Sequence, residues 1–304
     1  MKRLRHLPAS VMLALGLATP ALAEPALWRV SDADSDIYLF GSVHIFTKQV
    51  DWRTPQFDHI LATADHVYFE VVMDVEAYST ITQVTLAKGM FRDGRTLADV
   101  LSAADYARLG NAAVSVGTTV EALNHMQPWL ATMTLMNDAY PRTSAGVELL
   151  VDAEVAPGRK RGLETAAEQM GFLADLGMAE QVDNLMSTVE GIESGAMAQL
   201  EPMIEAWQSG DAAGLAEVIE GQVTARDRPM YDRLLTDRNR RWLTALERLL
   251  ADNDESLVIV GAGHLVGAEG VPALLEARGY TVERIDQAQT AAPPATGARS
   301  TKRR

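Results

Sequence analysis

The stretch ESLVIVGAGHLVG, residues 255–267, runs apolar and β-branched residues straight into Gly261, Gly263 and His264. A short, continuous apolar run of this kind reads as a strand covered on both faces, as in a parallel sheet with helical crossovers. The same form occurs near the other end of the chain. In SDIYLFGSVHIF, residues 35–46, Ile37 to Phe40 lead to Gly41 and then to His44. Both copies are a buried-type strand followed by G-x-x-H. The echo continues past each histidine: a helix over residues 54–63 and the strand HVYFEVV after the first, the helix VPALLEARG and then YTVERI after the second. One β-loop-α-β unit is used twice. The fold class expected is α/β, a central, largely parallel sheet in which the two G-x-x-H strands lie close together.

Between the units, from about residue 75 to 250, the chain is Ala, Leu, Met, Glu and Gln in helical spacing, as in DRLLTDRNRRWLTALERLL. This reads as a helical insertion capping the carboxyl ends of the strands. One short strand interrupts it, in GRKRGLETAAEQ, where Thr165 with Glu168 forms a capping box and Glu164 stands at the strand exit. Glu70, at the end of VYFE, occupies the same kind of place. Ligands of open parallel sheets bind outside the carboxyl ends of the strands, so His44, Glu70, Glu164 and His264 are expected around one crevice.

The N-terminus has Lys2, Arg3 and Arg5, an apolar stretch from Val11 to Leu17 and Ala21-Leu22-Ala23 before Glu24. This is the layout of a cleavable secretory signal over residues 1–23, cut near Ala23/Glu24, with a periplasmic or secreted destination. The apolar run is shorter than the roughly 20 residues of a membrane span, so no stable membrane insertion is expected after cleavage. Residues 24–286 read as one α/β domain. Residues 287–304, rich in Ala, Pro, Thr and Ser, read as a disordered tail. The chain contains no cysteine and carries a net charge of -14, which excludes disulfides and disfavours nucleic acid as a partner.

Two imidazoles and a carboxylate are a common set of ligands for a divalent transition metal with an open position for water. On the residues alone, His44, His264 and Glu70 are metal-ligand candidates. Glu70 also has the alternative of a salt bridge to an arginine, since a carboxylate in an apolar strand is costly to bury unpaired. Glu164 is a candidate ligand or general base, or a charge supporting a helix start. Arg238 is a candidate clamp for developing negative charge, or a cation stacked on Trp242 four residues on. Gly41 and Gly261 are expected to let the chain turn at the strand ends, and Gly263 to let backbone approach a ligand. His59, His66 and His125 lack the repeated context and read as structural.

The paired G-x-x-H motifs resemble those of the TraB/PrgY/GumN family. The likeness extends to Leu27-Trp28, to Gly162–Thr165 with Glu168-Gln169, to Trp207–Asp211 and to Arg238–Trp242, and it covers essentially the chain apart from both termini. The resemblance implies an α/β fold related to the erythromycin-esterase and haem-binding ChaN groups. By analogy with the animal Tiki proteins, it also implies a metal-dependent peptidase acting on a peptide or small-molecule substrate, with Zn, Mn or Co as the ion. Two other readings stay open: a metal-independent esterase in which a histidine activates water, and a non-catalytic protein that holds haem or a metal.

Overall fold

The computed structural model describes residues 24–46, 48–139, 144–195 and 200–285; the expected signal and the tail lie outside them. The strands are β1 (Leu27–Ser31), β2 (Asp36–Ser42), β3 (Ile45–Phe46), β4 (His66–Phe69), β5 (Ser144–Ala145), β6 (Lys160–Gly162), β7 (Ser256–Gly261) and β8 (Thr281–Arg284). Six of them form one sheet in the order β6-β4-β7-β2-β1-β8, and β3 pairs with β5. The pairs β6/β4, β4/β7 and β7/β2 are parallel, whereas β1 is antiparallel to both β2 and β8. Five strands therefore point one way and β1 alone opposes them. The two G-x-x-H strands are direct neighbours, with Ile37 opposite Ser256 and Ser42 opposite Gly261.

The units interleave instead of lying side by side. β7 inserts between β2 and β4, and β8 is separated from β7 by β2 and β1. The physical reason is the hairpin of β1 with β2, which takes the place on the far side of β2 that β8 would otherwise fill.

Alternation along the central strands feeds two cores, because successive side chains leave a strand on opposite faces. Phe40, Leu257 and Ile259 pack with Trp52, Phe57 and Trp207 on one face. Leu39, Val258 and Val260 pack with Trp242, Leu246 and Leu275 on the other. The helix after the first motif is Pro55–Thr63; Thr54 is its N-cap, accepting from the Phe57 N–H at 3.1 Å. The counterpart after the second is Val271–Ala277. Most of the middle region is helical, and part of it, around Leu109, Leu135 and Leu185, builds a third core of its own. Three of its helices, Val147–Glu154, Ala166–Ala174 and Asp237–Ala251, carry the side chains that meet the strand ends. Among the described residues no helix is long and apolar enough to cross a membrane.

Candidate functional site

At the end of β2 the chain presents His44, with 68% of its side chain exposed. Its Nδ1 lies 2.7 Å from Glu148 Oε1, and the Ser42 hydroxyl donates to the same oxygen. Glu148 stands in the first turn of the helix Val147–Glu154, whose start is tied to the strand end by the Val147 N–H on the Val43 carbonyl at 3.0 Å. Gly146 makes that approach possible, since a Cβ there would run into the His44 carbonyl. The hydrogen bond to Glu148 raises the His44 pKa to about 9, against the opposing effect of desolvation. With Nδ1 engaged, Nε2 is the atom left beside Gly261 and Glu70.

Glu70 lies one residue past β4 and is nearly buried. Its Oε1 accepts the Gly261 N–H at 2.8 Å, and its Oε2 accepts from Arg238 Nη2 at 2.5 Å and from Gln169 Nε2 at 3.2 Å. Burial works against its charge, but the Arg238 guanidinium, with the Gly261 N–H, outweighs burial and brings the pKa down to about 2.

Arg238 is the hub. Its side chain is 7% exposed and lies between the rings of Trp242, at 4.9 Å, and Phe172, at 5.2 Å. Nε donates to both oxygens of Glu164 at 3.0 and 3.1 Å, and Nη2 reaches Glu164 Oε2 at 2.8 Å as well as Glu70. Nη1 donates to the Leu234 carbonyl at 3.0 Å and lies 3.2 Å from His264 Nε2. Leu234 belongs to a π-helical turn, Asp232–Thr236, directly before the helix that carries Arg238, a distortion often found at functional sites. A guanidinium has five N–H groups and all five are engaged, so Arg238 offers its charge and holds no free donor toward the cleft. Glu164 is further held by Trp242 Nε1 at 3.1 Å.

His264 is buried, 4.4 Å from the Trp242 ring. Arginine can only donate, so Nε2 of His264 accepts from it and Nδ1 carries the proton. That proton goes to Asn239 Oδ1 at 2.6 Å, and Asn239 is fixed in turn by its Nδ2 on the Glu269 carbonyl at 2.8 Å. Burial, which penalises the charged imidazole, pulls the pKa of His264 down to about 3.

Gly261 shows how closely these groups converge. A Cβ added there would stand 3.3 Å from Glu70 Oε1, 3.6 Å from His264 Cδ2 and 3.8 Å from His44 Nε2. Neither Gly41 nor Gly261 has positive φ, so the turn expected of them is not the reason for glycine. At Gly41 the reason is contact, because a Cβ would lie 3.0 Å from the Ala262 Cα. Gly263 packs against Ile219 and Leu235, away from this cluster.

His44, Glu70, Glu148 and Gln169 line a cavity of about 260 Å³ together with Phe69, Val71, Met73, Tyr78, Leu149 and Asp152. Glu164, Arg238 and His264 stand behind it. His59 and His125 are exposed, and none of the three other described histidines lines the cavity. Sequence reasoning missed Glu148 and Asn239. Asn239 stands inside the quoted Arg238–Trp242 motif, whereas Glu148 carries no signal beyond following a glycine at a helix start.

Among the described residues no three His, Asp or Glu side chains form a ready metal cage. The donor chemistry still fits a transition ion. His44 is oriented through its far nitrogen by a carboxylate, as metal-ligating histidines commonly are, and Glu70 Oε1 and the His264 ring stand beside it around Gly261. Two contacts of Arg238 oppose a shared ion, its Nη1 N–H on His264 Nε2 and its Nη2 N–H on Glu70 Oε2.

The sequence profile of the TraB/PrgY/gumN family matches residues 26–284. A protein of Amphimedon queenslandica named as a metalloprotease TIKI homolog is 22% identical over 88% of the chain. The match spans 63% of that relative's length. No solved structure matches the chain.

Proposed function

The chain belongs to the TraB/PrgY/gumN family, and on that premise we propose that it is an exported hydrolase, metal-dependent and acting on peptides, whose reactive centre is the cleft between His44 and Glu70. One observation carries this reading: Glu148 fixes His44 so that Nε2 stands beside Glu70 in an accessible cavity. A carboxylate-oriented imidazole next to a second carboxylate is the arrangement that water activation requires. The likeness to a protein named as a metalloprotease supports the metal.

A divalent transition ion held by His44, His264 and Glu70 would supply Lewis acidity for polarising a carbonyl and acidifying water. The protein's own groups do the rest. Once pH rises toward its pKa of about 9, His44 is neutral and takes a proton at Nε2, and Glu148 stabilises the imidazolium that forms. Arg238 keeps Glu70 ionised and holds Glu164 in place. Gln169, which spends one Nε2 hydrogen on Glu70, has a second to offer a substrate oxygen in the cavity.

The contact of Arg238 with His264 Nε2 favours a second reading, a metal-independent hydrolase in which His44 and Glu148 act as base and orienter without an ion. Purified protein assayed on a mixed peptide and ester panel, as isolated, after chelation and after adding back Zn, Mn or Co, tests both. Activity lost on chelation and restored by one ion supports the first reading; activity indifferent to chelator and present without bound metal supports the second. No hydrolysis in any state, or hydrolysis unchanged in His44→Ala, contradicts both. Export with cleavage near Ala23/Glu24 is checked by N-terminal sequencing of protein from a periplasmic fraction.

A further inference from the structure

The cavity that holds His44 and Glu70 has a wall that its chemistry alone does not explain. Met73, Tyr78 and Leu149 line it and remain 39%, 57% and 63% exposed. They come from separate places, Met73 from the segment after β4, Tyr78 from the helix Val75–Lys88 and Leu149 from the helix Val147–Glu154. Single exposed apolar side chains are common, but several gathered on one cavity mark a surface meant to be covered. The charges in the cavity tell the same story from the other side. Glu70 is paired with Arg238 at 2.5 Å, Glu148 with His44 at 2.7 Å and Asp152 with Lys160 at 2.8 Å. No carboxylate lining the cavity is left to meet a cation, and its lining holds no lysine or arginine to meet an anion. At about 260 Å³ the space is smaller than the ~300–1,000 Å³ of common ligand pockets, which suits one side chain and the bond beside it.

We infer that the cleft selects an uncharged, apolar group next to the scissile carbonyl, seated on Met73, Tyr78 and Leu149. This rests on the hydrolase reading above, with the reactive centre at His44. The seat and the reactive imidazole line the same cavity, as does Glu148, the residue that orients the imidazole. A cationic group in the same place would lose its hydration and find every carboxylate already paired, and an anionic one would meet only His44, which Glu148 already engages; selectivity follows from that cost.

The test compares N-acetyl-leucine, -phenylalanine, -lysine and -glutamate derivatives, each as p-nitroanilide and as p-nitrophenyl ester, with wild type and Leu149→Lys; the two leaving groups show whether amide or ester is cleaved. Wild type should favour the leucine and phenylalanine compounds by about ten-fold or more in kcat/KM, the scale of a hydrophobic specificity contact. Leu149→Lys should erase that preference and favour glutamate. Equal rates on all four side chains, or a preference untouched by Leu149→Lys, overturn the inference. A binding arm separates it from catalysis: the neutral fluorophore N-phenyl-1-naphthylamine should bind wild type, and bind Leu149→Ser and a Tyr78→Ser, Leu149→Ser variant progressively less. If nothing is hydrolysed but this binding pattern holds, the hydrolase reading fails and the apolar seat stands. Fluorophore binding that is absent, or unchanged in both serine variants, overturns the seat whatever the hydrolysis shows.

Discussion

His44 and His264 close the same motif on adjacent strands of one sheet, yet their surroundings are opposite. The His44 side chain is 68% exposed and shares its proton with a carboxylate; that of His264 is 5% exposed, accepts from an arginine and donates to an amide. One pKa is raised to about 9 and the other lowered to about 3. The motif therefore delivers an imidazole to the carboxyl edge of the sheet, and the helical middle decides what that imidazole is. Glu148 and Asn239, both from helices, make the difference.

The largest expected effect lies on the buried side. Arg238→Ala strands two buried carboxylates and should cost about 3–5 kcal/mol in urea unfolding. A loss below about 1 kcal/mol would show the two carboxylates solvated instead of buried against Arg238. Next, His264→Ala should cost about 2–3 kcal/mol, for the space left behind and for the orphaned Asn239 and Arg238 groups. His44→Ala, where solvent screens the pair with Glu148, should cost no more than about 1 kcal/mol while lowering hydrolysis by about 10²–10⁴-fold. Equal stability losses for the two histidines would erase the contrast.

Smaller effects appear in pH dependence, and their signs differ. The folded pKa of His264 is depressed, so the unfolded chain binds its proton first and stability drains away as pH falls from about 6.5 toward 3. Glu70, also depressed, adds a loss as pH falls from 4.5 toward 2. The raised pKa of His44 does the reverse: its contribution is whole below about 6.5 and fades as pH rises through 9. Melting temperatures across pH should lose the part of the acid limb between about pH 6.5 and 4.5 in His264→Ala, the Glu70 part below it remaining, while His44→Ala should change only the shallower alkaline limb. Smallest of all, Thr165→Ala removes the cap that follows Glu164 and should cost about 1 kcal/mol in the same unfolding assay, with little change in either histidine.

Much of this was legible in the sequence. The apolar runs of β2 and β7 announce buried parallel neighbours, Glu70 in an apolar strand announces a paired carboxylate, and Thr165 with Glu168 announces a helix start beside Glu164. The interleaving of the two units was not legible. Neighbourhood in the sheet depends on β1, a strand whose own sequence says nothing of where it pairs. Glu148 was equally hidden, because its role comes from a glycine-enabled approach of a helix to a strand far away in the chain. The five-fold engagement of Arg238 was hidden too, since a motif gives the residue and not the number of its partners.

The divergence of the two histidines is tested most directly by titrating their ring nitrogens in metal-free, isotope-labelled protein by long-range nitrogen–proton NMR, with His44→Ala and His264→Ala to assign the signals. The structure predicts that His44 loses its proton near pH 9, and that His264 stays neutral, with hydrogen on Nδ1, down to the lowest pH at which the fold survives. Two imidazoles titrating together near pH 6.5, or His264 gaining a proton in the neutral range, would contradict it.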